Sequence, residues 1–200
     1  MISKSFVAIM GIAVATFAVP ASAQRMDTKG FYAGGSIGQA KFGGFCSAVS
    51  GFSCDDKDTA FRIFGGYQFH PNIGVELGYA NLGKGKFSGT QSGVSFSGEE
   101  KLTAWDLVAV GSWPLATGFS VFGKLGVYHG EAKANVTGSS GGFSAVGTGS
   151  ASGSDLTLGL GAGYDFNRNL GARLEWQHYN GFSDADNVDV FSLGVVYRFR

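Results

Sequence analysis

The chain has 200 residues, with 34 Gly, 18 Phe and only 3 Pro, charged residues at 15% and a formal net charge of zero. That charge content lies well below the roughly 25% of ordinary soluble domains, and the neutral balance offers no electrostatic footprint for nucleic acid. A length suited to one domain, together with abundant Gly and aromatics and little Pro, favours closely packed strands over helices.

The N-terminus, "MISKSFVAIMGIAVATFAVPASAQ", has the three parts of a secretory signal peptide. Lys4 gives a basic start, Phe6 to Val19 an apolar run, and Ala21, Ser22 and Ala23 a small-residue cleavage site before Gln24. The apolar run is too short for the ~20 residues a spanning helix needs. Residues 1–23 are therefore expected to leave, with residues 24–200 forming one exported domain. No later stretch has the length and apolarity of a transmembrane helix, which leaves a soluble protein or a membrane β-barrel.

Eight alternating segments follow in chain order: 30–40, 59–69, 73–82, 101–113, 119–132, 154–166, 170–179 and 188–199. Each is about ten residues or slightly more, the length of a tilted strand crossing a bilayer. "HPN", "PLATG" and "NRN" supply tight turns with the residues turns use. The connections at 41–58, 83–100, 133–153 and 180–187 are long and rich in Gly, Ser, Asp and Asn. Short and long connections in strict alternation define hairpins with two unlike ends, the layout of short periplasmic turns and long external loops. The first long connection carries Cys46 and Cys54; in an exported chain, two cysteines in one loop read as a disulfide. Zinc would need more ligands than this loop offers.

The strands have two faces. One parity carries Phe61 and Ile63, Leu77 and Tyr79, Trp105 and Leu107, Leu125 and Val127, Leu174 and Trp176, and Leu193 and Tyr197, almost free of charge. The other carries Ser36, Arg62, Glu76, Asp106, Lys124, Arg173, Glu175 and many glycines. With the apolar face inward, a small barrel would have to hold Phe, Trp, Tyr and Leu from every strand. With that face toward lipid, Gly, Ser and paired charges fit the narrow interior of eight strands, and ring closure satisfies the backbone polar groups as lipid requires. The expected fold is all-β: an eight-stranded antiparallel up-and-down transmembrane barrel.

"GFYAGGSIG" (30–38), "GGYQFHPNIGVELGYANLG" (65–83), "ARLEWQHYNG" (172–181) and "FSLGVVYRF" (191–199) resemble, in that order, the transmembrane domain of the outer-membrane protein A family. The likeness runs over about residues 29 to 199. It implies a Gram-negative outer-membrane location and a structural, envelope-integrity role with surface contact through the external loops. It also implies lumenal ion pairs. Glu76 matches a family carboxylate on the third strand and Arg173 the arginine it faces on the seventh; Lys124 and Glu175 match further lumenal charges. A further acidic position on the sixth strand falls on Gly163, so a thinned network is expected. The sequence ends right after the last strand, so the family's peptidoglycan-binding domain and a cell-wall tether are not expected.

Three function classes meet at these residues. Glu76, Lys124, Arg173 and Glu175 either fill and neutralise the lumen or gate a narrow path for ions or small solutes; fill is favoured, because eight strands leave little room for solute. An enzyme acting on lipid would need a rim histidine with Ser and acid. His70 lies in a periplasmic turn, and His129 and His178 lie near external strand ends with Glu131 and Glu175 as sequence neighbours, but no Ser–His–acid spacing stands out, so no enzyme is expected. The external loops offer a binding surface, with a host or phage ligand as the partner class. Outer-membrane lipid, lipopolysaccharide and, through "YRF" at 197–199, the barrel-assembly machinery are the other expected partners. No cofactor and no metal are expected.

Overall fold

The computed structural model describes residues 29–44, 46, 53–91, 94–140, 143–181 and 187–199. The proposed signal peptide, residues 1–23, lies outside the described residues. Among the described residues, nine antiparallel strands form one sheet: β1 (Gly30–Phe42), β2 (Ser53–Asp55), β3 (Lys57–His70), β4 (Ile73–Gln91), β5 (Val94–Ala116), β6 (Phe119–Ser140), β7 (Phe143–Asp165), β8 (Leu170–Tyr179) and β9 (Val188–Arg198). The sheet closes on itself. β1 pairs with β3 and β9, the rest follow in sequence, and β4–β5 completes an eight-membered ring that β2 flanks on the outside of β4.

All eight expected segments are strand cores, and the expected orientation holds. Phe31 is 67% exposed, Leu125 63% and Leu174 62%, whereas Glu76 is fully buried. Aromatics pair along the outer face, Tyr79 with Trp105 and Phe119 with Tyr164. The short ends are tight. Gly118 turns β5 into β6 with φ +80°, a left-handed conformation that glycine adopts without steric cost. Asn167 Oδ1 accepts from the backbone N–H groups of Asn169 and Leu170 at 2.9 Å, fixing the turn into β8.

Two expected loops are strands. Residues 83–100 and 133–153 extend the β4–β5 and β6–β7 hairpins until Gln91 faces Val94 and Ser140 faces Phe143. β5 and β6 stay paired out to Ser95↔Ser139. The hairpins therefore merge into a blade, β2-β4-β5-β6-β7, standing beyond the barrel. β8 ends its pairing with β7 at Thr157↔Tyr179, so among the described residues no strand covers the other edge of β7 from Phe143 to Leu156. A bulge between Asn81 and Gly83 marks where β4 leaves the barrel; Gly83 has φ +84° and its N–H donates to Asn81 Oδ1. After this extra residue Lys84 takes the outward parity, opposite Lys101.

Candidate functional site

The lumen is built in layers. In the middle, three cations and three carboxylates converge from five strands. Glu76 on β4 is the hub: its Oε1 accepts from Arg173 Nη1 at 2.5 Å and from the Tyr32 hydroxyl at 3.1 Å, and its Oε2 lies 2.8 Å from Lys124 Nζ and 3.4 Å from Arg62 Nη1. Lys124 also reaches both oxygens of Glu175 at 2.8 Å. Arg62 donates through Nε and Nη2 to the two oxygens of Asp106, at 2.9 and 2.5 Å, a fork that matches a carboxylate's geometry. The cluster Arg62, Lys124, Arg173, Glu76, Asp106 and Glu175 is neutral, as burial of charge requires.

The four sequence candidates thus meet in one network, Glu76 with Arg173 and Lys124 with Glu175. Gly163, on the sixth strand of the ring, brings no carboxylate to this network. Arg62 and Asp106 add a pair outside the four candidates, using strands β3 and β5. They stand on the polar parity in sequence but are separated by 44 residues. Gly78 on β4 lies between them, and a Cβ there would come within 2.5 Å of Arg62 Nη2. Its missing side chain lets the guanidinium cross β4. Below the charges, the rings of Tyr32, Phe64 and Phe122 lie 5.1 to 5.4 Å from the Arg173 guanidinium, within the range for cation–π attraction.

The external half of the lumen differs from the polar interior expected. Ala40, Phe42, Ala60, Ala80, Leu82, Leu102, Ala104, Tyr128, Ala132, Tyr179, Val188 and Val190 form one buried apolar cluster on the blade side of the charges. Tyr128 and Tyr179 meet edge to face at 5.2 Å, and the Tyr128 hydroxyl donates to the Asn180 carbonyl at 2.7 Å. Smaller clusters, Tyr32 with Phe64 and Val196, and Val108 with Val110 and Phe122, close the periplasmic side. The charged layer is sealed between them.

The rim holds the histidines. His129 Nδ1 lies 2.9 Å from Ser154 Oγ, but among the described residues no carboxylate bonds to its ring, and Glu131 is held by Lys133 at 3.0 Å. His178 Nδ1 shares Asp189 Oδ1 with the Trp176 indole N–H, at 2.9 and 3.0 Å. His70 accepts from the Asn72 N–H in the periplasmic turn. These pairs do not make a Ser–His–acid relay. Above the bilayer, burial on the inner face of the β4–β5 hairpin pushes the Glu100 carboxyl up. A raised folded-state value means that this group's contribution is best below the carboxylate range and falls as pH rises through it.

Cys46 and Cys54 are joined, with Cα atoms 5.6 Å apart. The bridge ties the start of the first connection, just after β1, to β2, which lies against Ser88–Lys86 of β4. Closing a loop of this size removes roughly 2–3 kcal/mol of unfolded-chain freedom. Reduction is expected to leave the barrel folded and to speed amide exchange at Ser53–Asp55, while exchange in β8 stays unchanged.

Fold and site together define a transmembrane barrel whose outside is apolar and whose inside is filled. Residues 10–199 match the family model described as "Outer membrane protein beta-barrel domain", and the chain belongs to that family of outer-membrane proteins. It is 30% identical to outer membrane protein A of Yersinia pseudotuberculosis over 203 residues, covering 95% of this chain and 54% of that protein. It is 29% identical to outer membrane protein A of Shigella flexneri, covering 98% and 56%. The chain thus spans about half the length of these curated relatives. Among solved structures, it is similar in fold to the outer membrane protein OprG from Pseudomonas aeruginosa, with TM-score 0.53, 18% identity, and 87% and 97% of the two chains covered. Ail of Yersinia pestis, in complex with the heparin analogue sucrose octasulfate, gives TM-score 0.51, 21% identity, and 85% and 99% coverage.

Proposed function

We propose that this protein is a non-enzymatic envelope scaffold that holds a stiff β-blade above the outer membrane for surface contact. In this reading residues 1–23 are removed on export, residues 24–200 make the barrel, and the assembly machinery recognises the terminal strand around Phe199. The observation that carries it is the filled lumen: the apolar cluster around Leu82, Leu102 and Tyr179 lies between the ion network and the external end. Water and ions would have to cross a layer of aliphatic and aromatic side chains in which, besides the tyrosine hydroxyls, the buried polar groups are Thr157, which donates to the His178 carbonyl, and Gln177, which donates to Thr157. The networked charges then act as neutral fill, and contact falls to the blade and the connections around it. A host or phage ligand is the partner class this reading assigns to that surface.

A second reading, a narrow gated pore, is favoured by one observation: Glu76 touches three cations and has alternatives if one leaves. Planar-bilayer recording of the refolded mature chain separates the two. The scaffold reading predicts a silent bilayer for the wild type, with folding verified by heat-modifiable gel mobility. Discrete openings that change in Glu76→Gln would replace it by the pore. For the surface role, immobilised blade-bearing protein is expected to retain a ligand that a variant lacking residues 86–97 and 136–147 does not; equal retention would move the contact elsewhere.

A further inference from the structure

Five neighbouring strands each carry one lysine at the same height on the outer face. Around the ring in the order β6, β5, β4, β3, β1, they are Lys133, Lys101, Lys84, Lys57 and Lys41. Lys101 is the register partner of both Lys84 and Lys133, and Lys41 of Lys57. Measured along each strand, the lysine stands four to six residues beyond the last large lipid-facing residue: Ile37 for Lys41, Phe61 for Lys57, Tyr79 for Lys84, Trp105 for Lys101 and Val127 for Lys133. Four to six residues are ~13–20 Å along a strand, or ~10–15 Å in height at the usual tilt of a membrane barrel. The ammonium groups therefore sit just above the apolar belt. The bulge at Asn81/Gly83 brings Lys84 into this set, since without it Lys84 would face inward.

Like charges directly opposite each other on a sheet repel, so this arrangement needs counter-ions. The carboxylates facing it are few. Glu99 takes Lys84 and Glu131 takes Lys133, both at 3.0 Å. Asp189 faces Lys41 in register but is bonded to Trp176 and His178. Asp55 accepts from the Lys57 backbone N–H. Among the described residues no carboxylate forms an ion pair with Lys41, Lys57 or Lys101. The other three strands of the ring carry no lysine: β7 has Ser150 opposite Lys133, β9 has Asp189 opposite Lys41, and β8 has His178 opposite Asp189. The arc is one-sided.

We infer that this lysine arc is a docking surface for the phosphate groups of outer-leaflet lipid headgroups, held on the β1–β6 side of the barrel. The occupant follows from position and charge. An apolar belt is always ringed by lipid, phosphates lie where the belt ends, and lysines at that depth extend their stems along apolar surface toward them. The inference rests on the outer-membrane location and deepens it by naming residues.

The test uses the refolded full mature barrel in zwitterionic detergent. The probes are a bisphosphorylated, acylated glucosamine disaccharide and the same glycolipid with both phosphates removed, with retention read by native mass spectrometry. The wild type is expected to prefer the phosphorylated form. Lys41→Gln/Lys57→Gln/Lys101→Gln should lose that preference, at roughly fivefold per lysine and about a hundredfold for the three together. Lys29→Gln/Lys86→Gln, which lies off the arc, should keep it. Heat-modifiable mobility establishes that each variant is a folded barrel, so a failure of the outer-membrane reading would appear there first. Equal retention of the two glycolipids by the wild type, or a preference unchanged in the triple variant, overturns the inference. Full displacement by millimolar inorganic phosphate overturns the lipid assignment in favour of a free anion.

Discussion

Replacing Glu76 by alanine will cost the folded barrel about 3–5 kcal/mol, the range for removing one partner from a buried ionic cluster. The effect is concentrated on Arg173. Arg62 keeps both oxygens of Asp106, and Lys124 keeps both oxygens of Glu175, but the described residues give Arg173 no carboxylate bond besides Glu76. The rings of Tyr32, Phe64 and Phe122 would remain, and they attract a cation only weakly compared with a carboxylate in direct contact. Urea unfolding of protein reconstituted in vesicles measures the loss. A double-mutant cycle with Arg173→Ala isolates the pair: the double variant should be more stable than the two single losses added together. Strict additivity would mean that Glu76 and Arg173 do not sense each other.

The second large effect is expected at Gly126, and it tests how closely the walls are packed. A Cβ at this position would run into the backbone of Leu107 and Val108 on the neighbouring strand β5. Backbone in a closed ring cannot move aside as a side-chain tip can, so Gly126→Ala should lose about 3 kcal/mol or fail to reach the heat-resistant compact form. Gly149, in the outer part of β7, is the matched control. Nothing lies within 4 Å of a Cβ placed there, and Gly149→Ala should leave stability within about 0.5 kcal/mol of the wild type. Equal effects at the two sites would mean that the β5–β6 contact is looser than its geometry.

The eight strand cores could be read from sequence because lipid imposes a simple rule on their outer face. Leu, Phe, Trp and Tyr repeat at every second position, with turn residues between. The blade leaves no such mark in the sequence, because no such rule acts on it. Residues 83–100 and 133–153 are Gly- and Ser-rich, and their paired parts continue ladders already formed in the barrel, which leaves little hydrophobic pattern. The apolar layer of the lumen is hidden in the sequence for another reason. Ala40, Ala60, Ala80 and Ala104 are small, and only closure reveals that they share a level with Leu82, Leu102 and Tyr179. Their position on the lumenal parity was the available signal. Glu76, Lys124, Arg173 and Glu175 follow from the family resemblance; the Arg62–Asp106 fork does not. That fork depends on the absence of a side chain at Gly78, a steric fact that appears only when β3, β4 and β5 stand side by side.

The apolar layer also bears on how the ring closes. Ala40 and Phe42 come from β1, and Val188 and Val190 from β9, the two strands joined at the seam between chain ends. A barrel unzipped along that seam would therefore lose more than a ladder of backbone hydrogen bonds: it would split its own plug and wet it. Sealing the wall and drying the interior are one cooperative event, and a half-closed intermediate is penalised on both accounts.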